Sequence, residues 1–172
     1  MTTTYTADEM RAMLETGAAA ADSRYQRAAI HLLAFTELIG RSGLASQIET
    51  GSVDIDGRAV PAAWVRDWAA LGRLEGLGYL SGGEERFVKL AASMAHGTPV
   101  DLRGVLSSLG HEHARCVLEA VAICLEADKK FTINPTPAFL EEQRFEERLI
   151  ADALRRRGFG PDGEPLQGTG TP

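Results

Sequence analysis

The densest grouping of metal-ligating side chains in the chain is His111-Glu112-His113 followed by Cys116. Imidazole and thiolate are good zinc ligands, and a closed structural site needs about four of them. On a helix, positions two apart diverge by about 200°, so His111 and His113 cannot grip one ion together. His113 and Cys116, three apart, do share a face and are the candidate metal pair. Two ligands do not close a site, and His31 and His96 stand in separate segments, so no resident metal or cofactor is expected. Nucleophilic chemistry has no better footing, because the chain holds no G-x-S-x-G elbow. Both thiols, Cys116 and Cys124, lie in one apolar run where burial raises a thiol pKa and suppresses reactivity. Eight residues of helix separate them by about 12 Å, too far for a disulfide. The paired carboxylates Glu84-Glu85, Glu141-Glu142 and Glu146-Glu147 fall on faces expected to be solvated. The residues therefore support no particular enzymatic activity.

Binding chemistry leaves fainter traces. Glu49, Asp54 and Asp56 run into Gly57, but D-x-D-G lacks the further oxygen ligands and closing glutamate of a calcium loop, and turn chemistry accounts for it. Trp64 and Trp68, one helical turn apart, have the rings to stack a base or a sugar and the spacing of core residues. Gly72, Gly76 and Gly78 lack the preceding strand of a dinucleotide fingerprint.

Leu80-Ser81-Gly82-Gly83-Glu84 and the helix after it, to Ala95, resemble the signature motif of ABC-type ATPases. The resemblance implies a serine and glycines that bind a nucleotide held by a partner domain. No G-x-x-x-x-G-K-[ST] loop accompanies it, and residues 98–103 are not an apolar strand ending in Asp-Glu, so the motif is read as a helix cap. The segments at about 102–109 and 111–127, joined at Leu109-Gly110, have the lengths of a helix-turn-helix, which makes a DNA-binding regulator the alternative function. Its recognition helix opens with His111, Glu112, His113 and Arg115, and so offers one fixed positive charge beside an acid.

The elements that must carry these residues are mostly helices. Thr6-x-x-Glu9 and Ser81-x-x-Glu84 are capping boxes, in which hydroxyl and carboxylate satisfy the first-turn N–H groups. The first opens a helix with Met10, Met13 and Leu14 on one side until Gly17. The second opens one with Phe87, Val88, Ala91, Met94 and Ala95 on one face, ending at Gly97. Between them, Asp22 or Ser23 starts a helix to about Ile39 with Tyr25, Ala29, Leu32, Leu33 and Thr36 in its stripe. Pro61 fits the first turn of another that places Trp64, Val65, Trp68 and Leu71 together. Asp101 suits the cap of a short helix bearing Leu102, Val105, Leu106 and Leu109. From His111 the chain is apolar around so much of its circumference that the helix is expected at the centre of the bundle. The β signal is Asp56-Gly57 between Val53–Ile55 and Arg58–Val60, a hairpin whose turn needs two positive φ angles.

The expected fold is mainly α, a bundle of about six to seven helices with one small β-hairpin near residues 53–60. Residues 22–130 form the core domain and 1–21 an N-terminal helical arm. Residues 131–157 follow as a linker, Phe131 to Pro137, and a C-terminal helical arm, with a disordered tail over 158–172. At 172 residues with 44% hydrophobic and 24% charged content the chain suits one globular core, and a net charge of −6 argues against a sequence-independent grip on nucleic acid. No run of about eighteen apolar residues occurs, so the expectation is a cytoplasmic protein that does not engage the membrane. The last helix sets acids near its start and Arg155, Arg156 and Arg157 at its end, the order that complements a helix dipole. Its Phe139, Leu140, Phe145, Leu149 and Ile150 cover too wide an arc for one narrow stripe. They are the expected partner-binding residues of a non-enzymatic interaction or assembly protein that associates with itself, or with another protein, through its terminal helices.

Overall fold

The computed structural model describes residues 5–35, 38–40, 42–107, 109–160 and 164–165. Among them lie eight α-helices, of which five have seven residues or more, and one two-stranded antiparallel hairpin. The chain forms two units, Met1–Ile133 and Asn134–Pro172. The first contains α1 (Ala7–Ala20), α2 (Arg24–Phe35), a 3-10 turn (Leu38–Gly40), α3 (Ser42–Ala45), β1 (Ile48–Ile55), β2 (Arg58–Val65), α4 (Trp68–Gly72), α5 (Gly82–His96), α6 (Leu102–Leu106) and α7 (His111–Cys124). The second contains α8 (Pro137–Arg156). No helix of the described residues is long and apolar enough to cross a membrane.

Local capping chemistry sets where the longer helices begin. Glu9 N–H donates to Thr6 Oγ1 at 3.2 Å and Thr6 N–H donates to Glu9 Oε2 at 2.8 Å, the reciprocal pair of a capping box. Ser81 and Glu84 repeat it at α5 with 3.3 and 2.8 Å. At α8, Thr136 accepts the N–H of Phe139 while Pro137 takes the first position, where its missing donor costs nothing. Asp101 makes no side-chain cap bond, and α6 is correspondingly a single turn ending at Leu106.

Three boundaries depart from the sequence expectation for physical reasons. Gly17 does not stop α1, which continues to Ala20 and closes where Asp22 adopts φ 48°. The glycine instead marks a close approach: a Cβ there would overlap the Ala63 carbonyl oxygen of β2 and lie 2.9 Å from Trp64 Nε1. Pro61 to Val65 are strand, because the ladder begun at the Asp56-Gly57 turn, with φ 53° and 76°, runs in register out to Ile48 opposite Val65. The hairpin thus extends well past residues 53–60, and Trp64 rides on β2 while Trp68 opens α4. The new helix starts only where Asp67 accepts the N–H groups of Ala69 and Ala70 at 2.8 and 2.9 Å. The second helix ends at Phe35, and its expected stripe residue Thr36 lies outside the described residues.

The core of the first unit is built around α2, which packs against α1, α5 and α7. Leu14, Leu32, Leu33, Leu38, Leu71, Phe87, Val88 and Cys116 are fully buried, and among the described residues no polar or charged one is buried. α1, read from sequence as an arm, contributes Met10, Met13, Leu14 and Ala18 to this core. The helix expected at its centre, α7, lies against α2 on one face only, so the central position belongs to α2. In the second unit α8 has no buried residue. It ends in a Schellman turn, with Gly158 at φ 82° and bonds of 2.9 Å from Phe159 N–H to Leu154 O and 3.0 Å from Gly158 N–H to Arg155 O. Phe159 then bridges to Pro165, and most of the tail expected to be disordered, residues 161–163 and 166–172, lies outside the described residues.

Candidate functional site

The face where α2 meets α7 brings together His31, Cys116 and Glu119. His31 Nε2 stands 3.0 Å from Glu119 Oε2, tying the two helices together across their packed seam. Arg115 reaches Glu112 at 2.6 Å and Glu119 at 3.8 Å, so the fixed cation of the helix-turn-helix reading is occupied by two acids of its own helix. Cys116 is buried, and desolvation, aided by the Glu119 charge, pushes its thiol up to about 12. Its Sγ lies 4.0 Å from the His31 carbonyl oxygen, a long contact for a weak donor. Burial also raises the Cys124 thiol.

His113 has a packing role. Its ring stands edge-on to Phe35 and Phe87, with centroids 5.2 Å from each, while the two phenyl rings stack at 5.8 Å. The His113 and Cys116 pair therefore faces an aromatic cluster and an apolar seam, and among the described residues no three His, Cys, Asp or Glu side chains come together to hold a metal ion. The signal for this cluster lay in residues 35, 87 and 113, too far apart in sequence for any spacing rule to connect.

An open groove of about 600 Å³ with a mixed lining runs between the start of α5 and the segment from Thr98 to Val105, formed by residues that no spacing along the chain connects. Arg73, Arg86 and Lys89 line it together with Glu85 and Asp101. Each cation there has a partner: Arg73 with Glu75 at 2.6 Å, Lys89 with Glu85 at 3.8 Å, and Arg86 with the Ser107 carbonyl at 3.2 Å. Mixed and internally matched charge of this kind makes a solvated surface and concentrates no field on a ligand.

The unmatched surface is apolar and helical. On α8, Phe139 is half-buried, whereas Leu140, Phe145, Leu149 and Ile150 are exposed, Phe145 at 55% and Ile150 at 61%. Helical geometry groups Phe139, Leu140, Ile150 and Leu154 on one side and Phe145 with Leu149 on the opposite side. On α7 the buried face is Cys116, Val117 and Ala120, and a second stripe points the other way: Leu118, Val121 and Leu125 are 56%, 40% and 70% exposed. Spacing of i, i+3 and i+7 puts these three in one line. Their apolar type predicts core positions, since an apolar side chain has the same type whether its own fold or a partner covers it. No protein-family model matches the sequence, and no curated protein and no solved structure matches it significantly.

Proposed function

We propose that the protein is a non-enzymatic assembly protein that associates with further copies of itself through its terminal helix α8. The observation that carries this reading is a capped helix of 20 residues with no buried residue and with apolar side chains on two opposite sides. A helix polar all round is content in water, whereas one carrying Phe145, Leu149 and Ile150 into solvent gains by covering them. Two opposed apolar strips suit a helix held between neighbours better than one laid on a single surface.

The magnitudes indicate how far α8 reaches alone. Leu140, Phe145, Leu149 and Ile150 expose the equivalent of about two whole side chains, worth roughly 3–6 kcal/mol per helix when covered. A symmetric pair that covers one of the two strips on each copy gains about 3–6 kcal/mol in all, against an association cost of roughly 4–15 kcal/mol. α8 by itself therefore supports a weak, concentration-dependent association, and a stable one requires further surface.

Changing Phe145 and Ile150 together to Glu tests the reading in the full-length chain. The expected result is a native mass reduced towards the 18.5 kDa monomer with an unchanged helical circular dichroism spectrum, because both side chains are exposed. An assembled mass that survives the double change contradicts α8 as the contact element.

A further inference from the structure

The hairpin has one open sheet edge, and its ladder fixes which backbone groups stand there. Arg66 N–H donates to Gln47 O at 2.8 Å, in the register that pairs Ile48 with Val65 and Ile55 with Arg58. Bonded and non-bonded pairs alternate along an antiparallel ladder, so Glu49, Gly51, Val53 and Ile55 bond to β2 while Thr50, Ser52 and Asp54 turn their N–H and C=O groups outward. Pro61 accordingly lies opposite Ser52, where its missing N–H costs the ladder nothing. The outer edge of β2 is closed, because Pro61 has no donor to offer and Gly17 of α1 lies against the Ala63 carbonyl. β1 has no such guard: it carries neither proline nor lysine, and Glu49, Thr50, Gly51 and Ser52 are all exposed. Among the described residues its packing is chiefly on β2.

A row of alternating N–H and C=O groups is matched by an extended strand. We propose that this strand is β1 of a second copy, paired antiparallel about a twofold axis so that two hairpins make one four-stranded sheet. The proposal rests on the self-association reading in taking a second copy as occupant, and it uses residues of the first unit alone. Outward-bonding residues must face each other, and centring the axis on Ser52 engages all three while leaving the buried Ile48 out. Ser52 then faces Ser52, Thr50 faces Asp54 and Gly51 faces Val53, the last two relations each occurring twice. That pairing joins a hydroxyl donor to a carboxylate and keeps Glu49 and Asp54 apart. A Cβ at Gly51 would lie 3.2 Å from the Trp64 ring, so glycine leaves that ring open to the opposing valine. The segment Thr50–Asp54 thus brings, reversed, what its own edge needs. Two bonds at each of three pairs give about six new backbone hydrogen bonds.

The test uses the full-length chain, with native mass spectrometry and sedimentation velocity over a concentration series. Ser52→Pro removes an outward donor while sparing the bonds to β2, so association should weaken roughly tenfold or more with the circular dichroism spectrum intact, whereas Ser52→Ala, which keeps the N–H, should weaken it far less. Residue-resolved hydrogen exchange on the wild-type chain gives a second reading: the Thr50, Ser52 and Asp54 amides should exchange more slowly as concentration rises. Exchange at these amides that ignores concentration while the mass climbs would overturn the pairing, whether or not Ser52→Pro folds. Unchanged association in a folded Ser52→Pro, with loss in the α8 double variant, would overturn it and leave the α8 reading standing. The opposite pattern would support the β1 pairing and overturn α8 as the contact element. A wild-type chain that stays monomeric at every concentration would overturn both, and a single chain carrying a retained peptide would overturn the second copy as occupant.

Discussion

Gly17→Ala is the substitution whose sign depends most directly on the packing of α1. In an exposed helix interior, alanine for glycine gains about 1 kcal/mol through backbone entropy and solvation. Here the added Cβ meets the Ala63 carbonyl oxygen head-on and comes within 2.9 Å of Trp64 Nε1, and a strand carbonyl cannot swing aside as a flexible side chain would. α1 must retreat by about 1 Å, loosening Met13, Leu14 and Ala18, which are all buried in the core. Overpacking of this kind costs roughly 1–3 kcal/mol, and here it falls on a close-packed backbone, the upper part of that range. The net expectation is a destabilisation of about 1–2 kcal/mol, or a fall in Tm of roughly 4–8 °C for a unit of this size. Thermal unfolding followed by circular dichroism measures it, at matched protein concentration because association shifts Tm. A rise in Tm of about 4 °C would show that α1 does not sit against β2 as described.

Further outcomes follow from the thiols and the carboxylates. With Cys116 pushed up to about 12 and Cys124 also raised, neither thiol should react rapidly with iodoacetamide at pH 8 in the native protein, and both should react on unfolding; fast labelling of Cys116 in the folded chain would contradict its burial. Glu9, Asp67 and Glu126 are held below the usual carboxylate range, the first two chiefly by backbone N–H groups of Thr6 and Ala70 and the third chiefly by Lys129. A carboxyl whose folded-state pKa is depressed stabilises the fold above its unfolded value, and that contribution is lost as pH falls through the folded value. The urea midpoint should therefore drop between pH 7 and pH 3, and Glu9→Gln should narrow the difference. An unchanged difference in Glu9→Gln would show that its bond to Thr6 does not contribute.

What could be read from sequence was the chemistry that is local along the chain. Thr6, Ser81 and Thr136 cap helices with partners three residues away, and Asp56-Gly57 turns a hairpin with φ angles its own residues prefer. The lengths of the strands were hidden, because β1 is exposed almost throughout and Trp64, Val65, Trp68 and Leu71 mimic a helical face across a strand-to-helix boundary. Gly17 looked like a helix stop because its use depends on Ala63, forty-six residues on. The ring cluster of Phe35, Phe87 and His113 depends on a tertiary fold that no spacing encodes. On α7, Leu118 and Val117 are alike in type and adjacent in sequence, yet one faces solvent and the other is buried. The α8 residues proposed for binding were recognisable as apolar and misfitted to one stripe, and their exposure is the added structural fact.

In the proposed assembly the chain covers the apolar sides of α8 with further copies of itself. Sedimentation equilibrium of the full-length protein, from low to high micromolar concentration, tests it most directly. Self-association requires a weight-average mass that climbs from near 18.5 kDa towards at least twice that value as concentration rises. A mass that stays at 18.5 kDa across the series, with Phe145 and Ile150 still facing solvent, would contradict it.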